Sequence, residues 1–296
     1  MDSYQSVIDR IARSGGVVML IGGLDSGKTT LGRSLARSGV QAGHTVAFID
    51  ADLGQKTVGP PACAGLRMVR GEADLDPGAV LEPDEISFVG ATSPQGQLLP
   101  LVVGAGRLLA QAFERGAGLV IVDTSGLVSG VYGQILKFHK VEQLRPDVVI
   151  GLQRGEELDP ILGIIRRFFS TDVITLPVPP EVRSTSVEER AVRREEAMRR
   201  YFGVPLQRWR VKPTVFMPAL PALFDHAQLD RLLVGTSDGE GSYSGIGYLE
   251  HSPEEGVLRL ISPVADAPKA LKLGSVRVDP DFRVRRVDLR NLFGTD

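Results

Sequence analysis

The chain has 296 residues, 43% of them apolar, enough for one large α/β domain with a small accessory domain and no compositional sign of disorder. A formal net charge of −2 gives no global basic field, so a nucleic-acid partner would have to meet a local cluster of Arg and Lys. The single cysteine, Cys63, excludes an internal disulfide and a cysteine metal cluster, which fits a reducing cytoplasm.

Residues 1–15 pattern as a polar–apolar helix without the continuous apolar core of a signal peptide. No run approaches the length of a membrane span, so a cytoplasmic protein without membrane association is expected. The apolar run Val17 to Ile21 predicts a buried parallel strand, and Thr29 to Gln41 predicts a helix with Leu31, Leu35 and Ala36 inward. Between them stand Gly22, Gly23, Leu24, Asp25, Ser26, Gly27, Lys28 and Thr29, which fit the spacing Gly, four residues, Gly-Lys-Ser/Thr of a phosphate-binding loop. Its backbone N–H groups and the helix N-terminus converge on a phosphate chain, Lys28 reaches the outer phosphates and the Thr29 hydroxyl ligates magnesium. Gly22 to Thr30 is therefore the expected nucleotide-binding segment, Thr30 included.

Residues 45–50 form a second apolar strand pattern that runs into Asp50-Ala51-Asp52-Leu53-Gly54-Gln55. In open α/β sheets ligands bind at the carboxyl ends of the strands, so Asp50 and Asp52 are expected to face the phosphates. A turn that merely favours Asp would account for one of them. Residues 86–91 predict a third strand, 97–115 a helix, and 118–123 a fourth strand, which ends in Asp123-Thr124-Ser125-Gly126. An acid closing an apolar strand suits the magnesium-supporting carboxylate of a P-loop protein, so Asp123 joins Thr29 and Asp50 as a metal candidate. Residues 147–152 and 172–176 supply two more strands around a helix near 161–169. Strands alternating with helices predict a parallel sheet with right-handed crossovers.

The pattern stops at Pro177 to Pro180, and residues 187–202 predict a charged helix. Arg193, Arg199 and Arg200 each follow a glutamate by four residues (Glu189, Glu195, Glu196), the favourable helical ion-pair orientation. Arg190 and Arg194 have no such glutamate; they stand four apart on one face, an arrangement suited to an anion between them. A solvated face with two spare arginines is the plainer alternative. Beyond Gly203, residues 232–234, 245–249, 257–261, 270–278 and 282–289 read as short strands, a small β-rich domain. Arg283 and Arg285 on the last of them suit either a nucleic-acid surface or a basic edge strand guarded against aggregation. The expected organisation is a P-loop core over 1–180, an arginine-bearing helical segment over 181–203 and the β-rich domain over 204–296.

Taken together these stretches resemble the polynucleotide 5′-hydroxyl kinases of RNA processing. The resemblance rests on the P-loop; Asp50-x-Asp52-x-Gly54-Gln55 with Pro60-Pro61; Phe88-Val89-Gly90-Ala91-Thr92-Ser93-Pro94; Asp123-Thr124-Ser125-Gly126 with Gly130; and Arg190-x-x-x-Arg194 before Tyr201-Phe202-Gly203. It implies a P-loop fold that uses ATP or GTP with magnesium and acts on the 5′-hydroxyl end of RNA, or of DNA, among RNA-processing partners. It further implies that Asp52 orients and deprotonates the acceptor, that Gln55, Thr124 and Gly126 contact it, and that Arg190 and Arg194 close over the transferring phosphoryl group. Leu127 stands where the family's clasp carries Trp, and Ala62 where a glycine usually follows the prolines. A nucleotide switch without kinase activity, or a small-metabolite kinase, would use the same P-loop. The absence of an Asn-Lys-x-Asp element argues against an ordinary GTPase.

Overall fold

The computed structural model describes residues 4–76 and 80–294. The chain opens with α1 (Tyr4–Ser14) and β1 (Gly16–Gly22), then α2 (Lys28–Gln41), β2 (Val46–Ala51), β3 (Cys63–Met68), β4 (Glu85–Phe88) and α3 (Leu98–Glu114). It continues through β5 (Leu119–Thr124), α4 (Gly130–Leu144), β6 (Val148–Gln153), α5 (Asp159–Phe168) and β7 (Asp172–Pro177) to the charged helix α6 (Val187–Phe202), the segment expected to be a lid. The first sheet runs β4-β3-β2-β5-β1-β6-β7. Its five strands from β2 to β7 are parallel, as the alternation of elements predicts.

Period-two alternation along the fully interior β1 sends Val17, Met19 and Ile21 to one face, where they meet α3, α4 and α5 residues such as Leu101, Leu136 and Leu162. Val18 and Leu20 point to the other face and meet Ile11, Leu31 and Leu35 of α1 and α2. Both faces are therefore covered, the condition that makes these strands continuously apolar.

The predicted parallel sheet ends at one edge in two antiparallel strands: β3 pairs antiparallel with β2, and β4 antiparallel with β3. β3 reads Cys-Ala-Gly-Leu-Arg-Met and lacks the β-branched run that marks the other strands, so its propensity signal is weak. α4 also had no expectation attached to it.

After α6 come β8 (Gln207–Val211), β9 (Phe216–Met217), β10 (Leu232–Ser237), β11 (Tyr243–Ser252), β12 (Val257–Ser262), β13 (Ala270–Val278), β14 (Val284–Arg286) and a short α7 (Leu289–Phe293). They build a second sheet in the order β14-β13-β10-β11-β12-β8, with β9 parallel to β13. The strand expected over 282–289 is shorter, because Asp288 caps α7 by accepting from Arg290 N. The two sheets meet at Phe88. Its ring lies under Gly235, where an added Cβ would come within 2.5 Å of it, so only glycine fits. Beside it Lys272 donates to Phe88 O at 3.1 Å and Ser275 N to Gly90 O at 2.7 Å. Met198 and Phe202 of the lid helix pack into the same cluster. Among the described residues no helix is long and apolar enough to cross a membrane.

Candidate active site

β2, β5 and β1 are neighbours, with Asp50 in register with Asp123 and Leu20 with Asp123. The P-loop after β1 and the acids ending β2 and β5 thus open on a single sheet edge, where the polar ends of parallel strands leave room for a ligand. A cavity of about 330 Å³ lies there, lined by Leu24 to Thr30, Asp52, Gln55, Asp123 and Gly126, with Arg183 and Arg193 on the lid side. A larger cavity of about 650 Å³ between the lid helix and the second sheet contains none of the P-loop residues, so volume alone does not locate the chemistry.

The P-loop closes on its own lysine: Lys28 Nζ donates to Gly22 O (3.0 Å), Gly23 O (2.7 Å) and Ser26 Oγ (3.3 Å). The loop's shape therefore puts one cation at its centre, ready for phosphate oxygens. Gly126 is required by close approach, since a Cβ there would meet Leu24 N at 2.8 Å and its Cα at 2.9 Å.

Thr29 Oγ1 donates to Asp123 Oδ2 at 2.5 Å, and the buried Asp123 Oδ1 has no partner. A hydroxyl and a carboxylate with an unused oxygen at the start of a helix suit a hard divalent cation such as magnesium. Burial pushes the Asp123 carboxyl up to about 6; Lys28 and the Thr29 hydrogen bond oppose the rise, while Asp50 and Asp52 add to it. A folded-state pKa raised above the ordinary 3.8 means stability that is fully present below about pH 4 and lost as pH rises through about 6. The loss is about 3 kcal/mol. Without divalent cation, Asp123→Asn should therefore melt above the parent at pH 8, with the difference vanishing below pH 4 in thermal melts. Magnesium with triphosphate should raise the parent's Tm more than the variant's.

Two expected site residues belong instead to the framework. Asp50 accepts from Asp52 N (2.9 Å), Thr57 N (2.6 Å) and Val58 N (3.0 Å) and pairs with buried Lys56 at 3.0 Å. Four donors consume its carboxylate and shape the turn after β2, which corrects its assignment as a metal residue. Thr124 is fully buried, donates to Leu20 O at 2.7 Å and accepts from Lys137 Nζ at 2.7 Å, so it faces the interior and not an acceptor.

Asp52 does line the cavity. Its Oδ1 accepts from Gly54 N (2.8 Å) and Gln55 N (3.3 Å), which fixes the carboxylate and leaves Oδ2 without an intramolecular donor among the described residues. Gln55 lines the cavity too, and its buried Nε2 has no acceptor. Leu127 is partly buried against the core behind the strands and offers no stacking face there.

The lid helix departs from the expected pairing. Glu189 closes a capping box with Ser186, Glu195 lies 3.9 Å from Arg283, and Arg199 donates to Asp281 O at 3.2 Å. None of the three expected i, i+4 pairs forms; the helix cap takes Glu189, and tertiary partners take Glu195 and Arg199. Arg190 donates to Thr185 O and stands 3.6 Å from Asp25 Oδ2, which also accepts from Thr185 N at 2.8 Å. The P-loop and the lid thus share one carboxylate. Arg193 lines the cavity although its spacing from Glu189 marked it as a surface ion pair, and neither Arg190 nor Arg194 lines it; Arg190 reaches the P-loop only through Asp25. Arg183 lines it too, in a segment with no helical period to draw attention to it. Lys137 and Lys140 of α4, both fully buried, were also missed. The spacing Gly133, Lys137, Lys140, Leu144, flanked by Leu136 and Val141, was the available sign that they share the buried face.

Residues 22–203 match the family described as the mRNA cleavage and polyadenylation factor CLP1 P-loop. A polyribonucleotide 5′-hydroxyl-kinase of Pyrococcus horikoshii is 29% identical, over 89% of this chain and 86% of its own. One from Thermococcus kodakarensis is 30% identical, over 88% of each chain. Among solved structures, wild-type Clp1p in complex with a Pcf11p fragment superposes with a TM-score of 0.71 at 15% identity, covering 92% of this chain and 77% of that one, a likeness of fold. With the P-loop, both acid-bearing strand ends and the arginine helix all inside the matched residues, the chain belongs to the CLP1 P-loop family.

Proposed function

We propose that the protein is a polyribonucleotide 5′-hydroxyl kinase: it transfers the γ-phosphoryl group of ATP or GTP to the 5′-hydroxyl of RNA, with DNA ends as a second acceptor. The observation that carries this reading is that Asp52, oriented by two backbone N–H groups, opens on the same cavity as Lys28, Thr29 and Asp123. A nucleotide switch needs no carboxylate held beside the phosphate cradle; a kinase does, because the attacking hydroxyl must be aligned and lose its proton. The balance is simple. The 5′-oxygen bonds to the γ-phosphorus, the bond to the β–γ bridging oxygen breaks, the nucleoside diphosphate leaves, and Asp52 takes the hydroxyl proton.

Lys28 holds the triphosphate from the centre of the loop, and the P-loop N–H groups orient it. Thr29 and Asp123 would hold magnesium, which supplies positive charge to the β- and γ-phosphoryl oxygens. Gln55 and Gly126 border the acceptor, and the lid arginines bring cations to the developing charge. RNA-processing proteins are the class of partner that the family membership suggests.

Incubation with γ-labelled ATP or GTP and a 5′-hydroxyl oligoribonucleotide tests the reading. Label should move to the 5′ end, with none transferred to the same oligonucleotide already carrying a 5′-phosphate. Triphosphate hydrolysis with no label on RNA or DNA would overturn it in favour of a switch.

A further inference from the structure

The buried face of α4 carries two lysines that the roles given above do not use. Lys137 and Lys140 stand one turn apart, and neither has any exposed surface. An ammonium in such a place costs several kcal/mol unless it is paired, and a buried helix face ordinarily takes Leu or Met. The two lysines meet that cost differently. Lys137 Nζ donates at 2.7 Å to Thr124 Oγ1 and at 2.7 Å to Ser125 O, and the Thr124 hydroxyl donates onward to Leu20 O. Burial, helped by Lys140 and Lys28, pushes the Lys137 amine well below its ordinary value.

Lys140 is held otherwise. Among the described residues its one hydrogen-bond acceptor is Ala51 O at 3.3 Å, the carbonyl of the residue between Asp50 and Asp52. Burial lowers its pKa to about 8, while Asp52, then Asp123 and Asp50, hold it up and Lys56 opposes them. At pH 7 it is therefore charged by roughly ten to one. The acids at this edge lie among lysines: Lys56 is paired with Asp50 at 3.0 Å, Lys28 opposes the rise at Asp123, and Lys140, bound to the Ala51 carbonyl next to Asp52, has its charged form favoured chiefly by Asp52.

We propose that Lys140 is a positioning residue for phosphoryl transfer: its ammonium anchors the Ala51 peptide and places a positive charge behind the Asp52 carboxylate, holding that group in place as the acceptor hydroxyl approaches. The proposal rests on the role given to Asp52. Lys137, by contrast, is a structural tie between β5 and β1.

The test compares K140M, K140R and K137M by single-turnover transfer to a 5′-hydroxyl oligoribonucleotide, KM for both substrates and thermal melting. K140M is expected to transfer about 10–100-fold more slowly, as when a group supporting a reactive one is lost. Its KM values should stay within about threefold of the parent's, and its Tm should equal or exceed the parent's, because an apolar side chain removes the burial cost. K140R should recover most of the rate. K137M should lose Tm, since Ser125 O and Thr124 Oγ1 lose their donor.

Parental transfer by K140M, failure of K140M to fold, or a rate loss accompanied by a lower Tm and raised KM would overturn the proposal. If K140R melts low because the guanidinium does not fit, K140M alone decides. A D52N variant that still transfers removes the role of Asp52 itself. An inactive D52N beside a fully active K140M removes only the part assigned to Lys140.

Discussion

Asp52→Asn should bind triphosphate as the parent does and transfer its γ-phosphoryl group on the order of 10³-fold more slowly, within the range for loss of a general base. Asparagine keeps the shape of the side chain, and its Oδ1 can still accept from Gly54 N and Gln55 N, so the turn after β2 survives. Its amide nitrogen cannot take a proton from the 5′-hydroxyl. The proposed nucleotide contacts, on the P-loop and at Asp123, are not touched by the substitution. Equilibrium binding of labelled ATP and single-turnover transfer measure the two halves separately. A variant that transfers at the parental rate would exclude Asp52 as the base. Asp50 could not replace it, because its carboxylate is engaged by three backbone donors and Lys56.

Arg190→Ala is expected to lower single-turnover transfer on the order of 10³-fold, the scale of a transition-state arginine, while triphosphate affinity changes by less than about tenfold. The reason is its position. Arg190 stands 3.6 Å from Asp25, inside the P-loop itself, and both side chains are mostly shielded from solvent. Phosphate charge developing in the P-loop would compete with Asp25 for the guanidinium and gain most from it during transfer. Arg199→Ala is the matched control. Arg199 is bound to Asp281 O at the other end of α6, and its loss should cost a few tenths of a kcal/mol of stability and little activity. Arg193→Ala and Arg194→Ala complete the series and separate an arginine that lines the cavity from one that does not. Equal effects at all four positions would mean that the helix is a solvated face and no lid.

Much of the fold was legible in the sequence because the central strands are buried on both faces and read as unbroken apolar runs ended by acids. The P-loop was legible because its function depends on backbone shape, which demands particular residues at particular spacings. The bounds of α6 could be read from its charge pattern and from Ser186 before it. β3 was not legible, since its residues have little strand preference and are held there by antiparallel pairing with β2. The site was harder. Asp50 and Asp52 are chemically alike and two residues apart, and only the hydrogen bonds from Thr57 and Val58 assign one to the framework. Thr124 looks like a surface hydroxyl in sequence and is buried by Lys137, thirteen positions later. The pairing of Arg193 with Glu189 failed because the same glutamate is worth more at the helix N-terminus, where it satisfies the Ser186 N–H.

The seating of Phe88 beneath Gly235 bears on how the protein unfolds. Phe88 belongs to the first sheet by sequence and to the second by contact, and Ile86 and Cys63 share its cluster with Leu233, Ile246 and Val276. Neither sheet can separate without baring an aromatic ring and its aliphatic neighbours to water, which links their free energies of opening. The β-rich half is thus not a detachable appendage. Heat or denaturant acting on either half is felt by both, and the lid helix, with Met198 and Phe202 in the same cluster, loses its footing at the same moment.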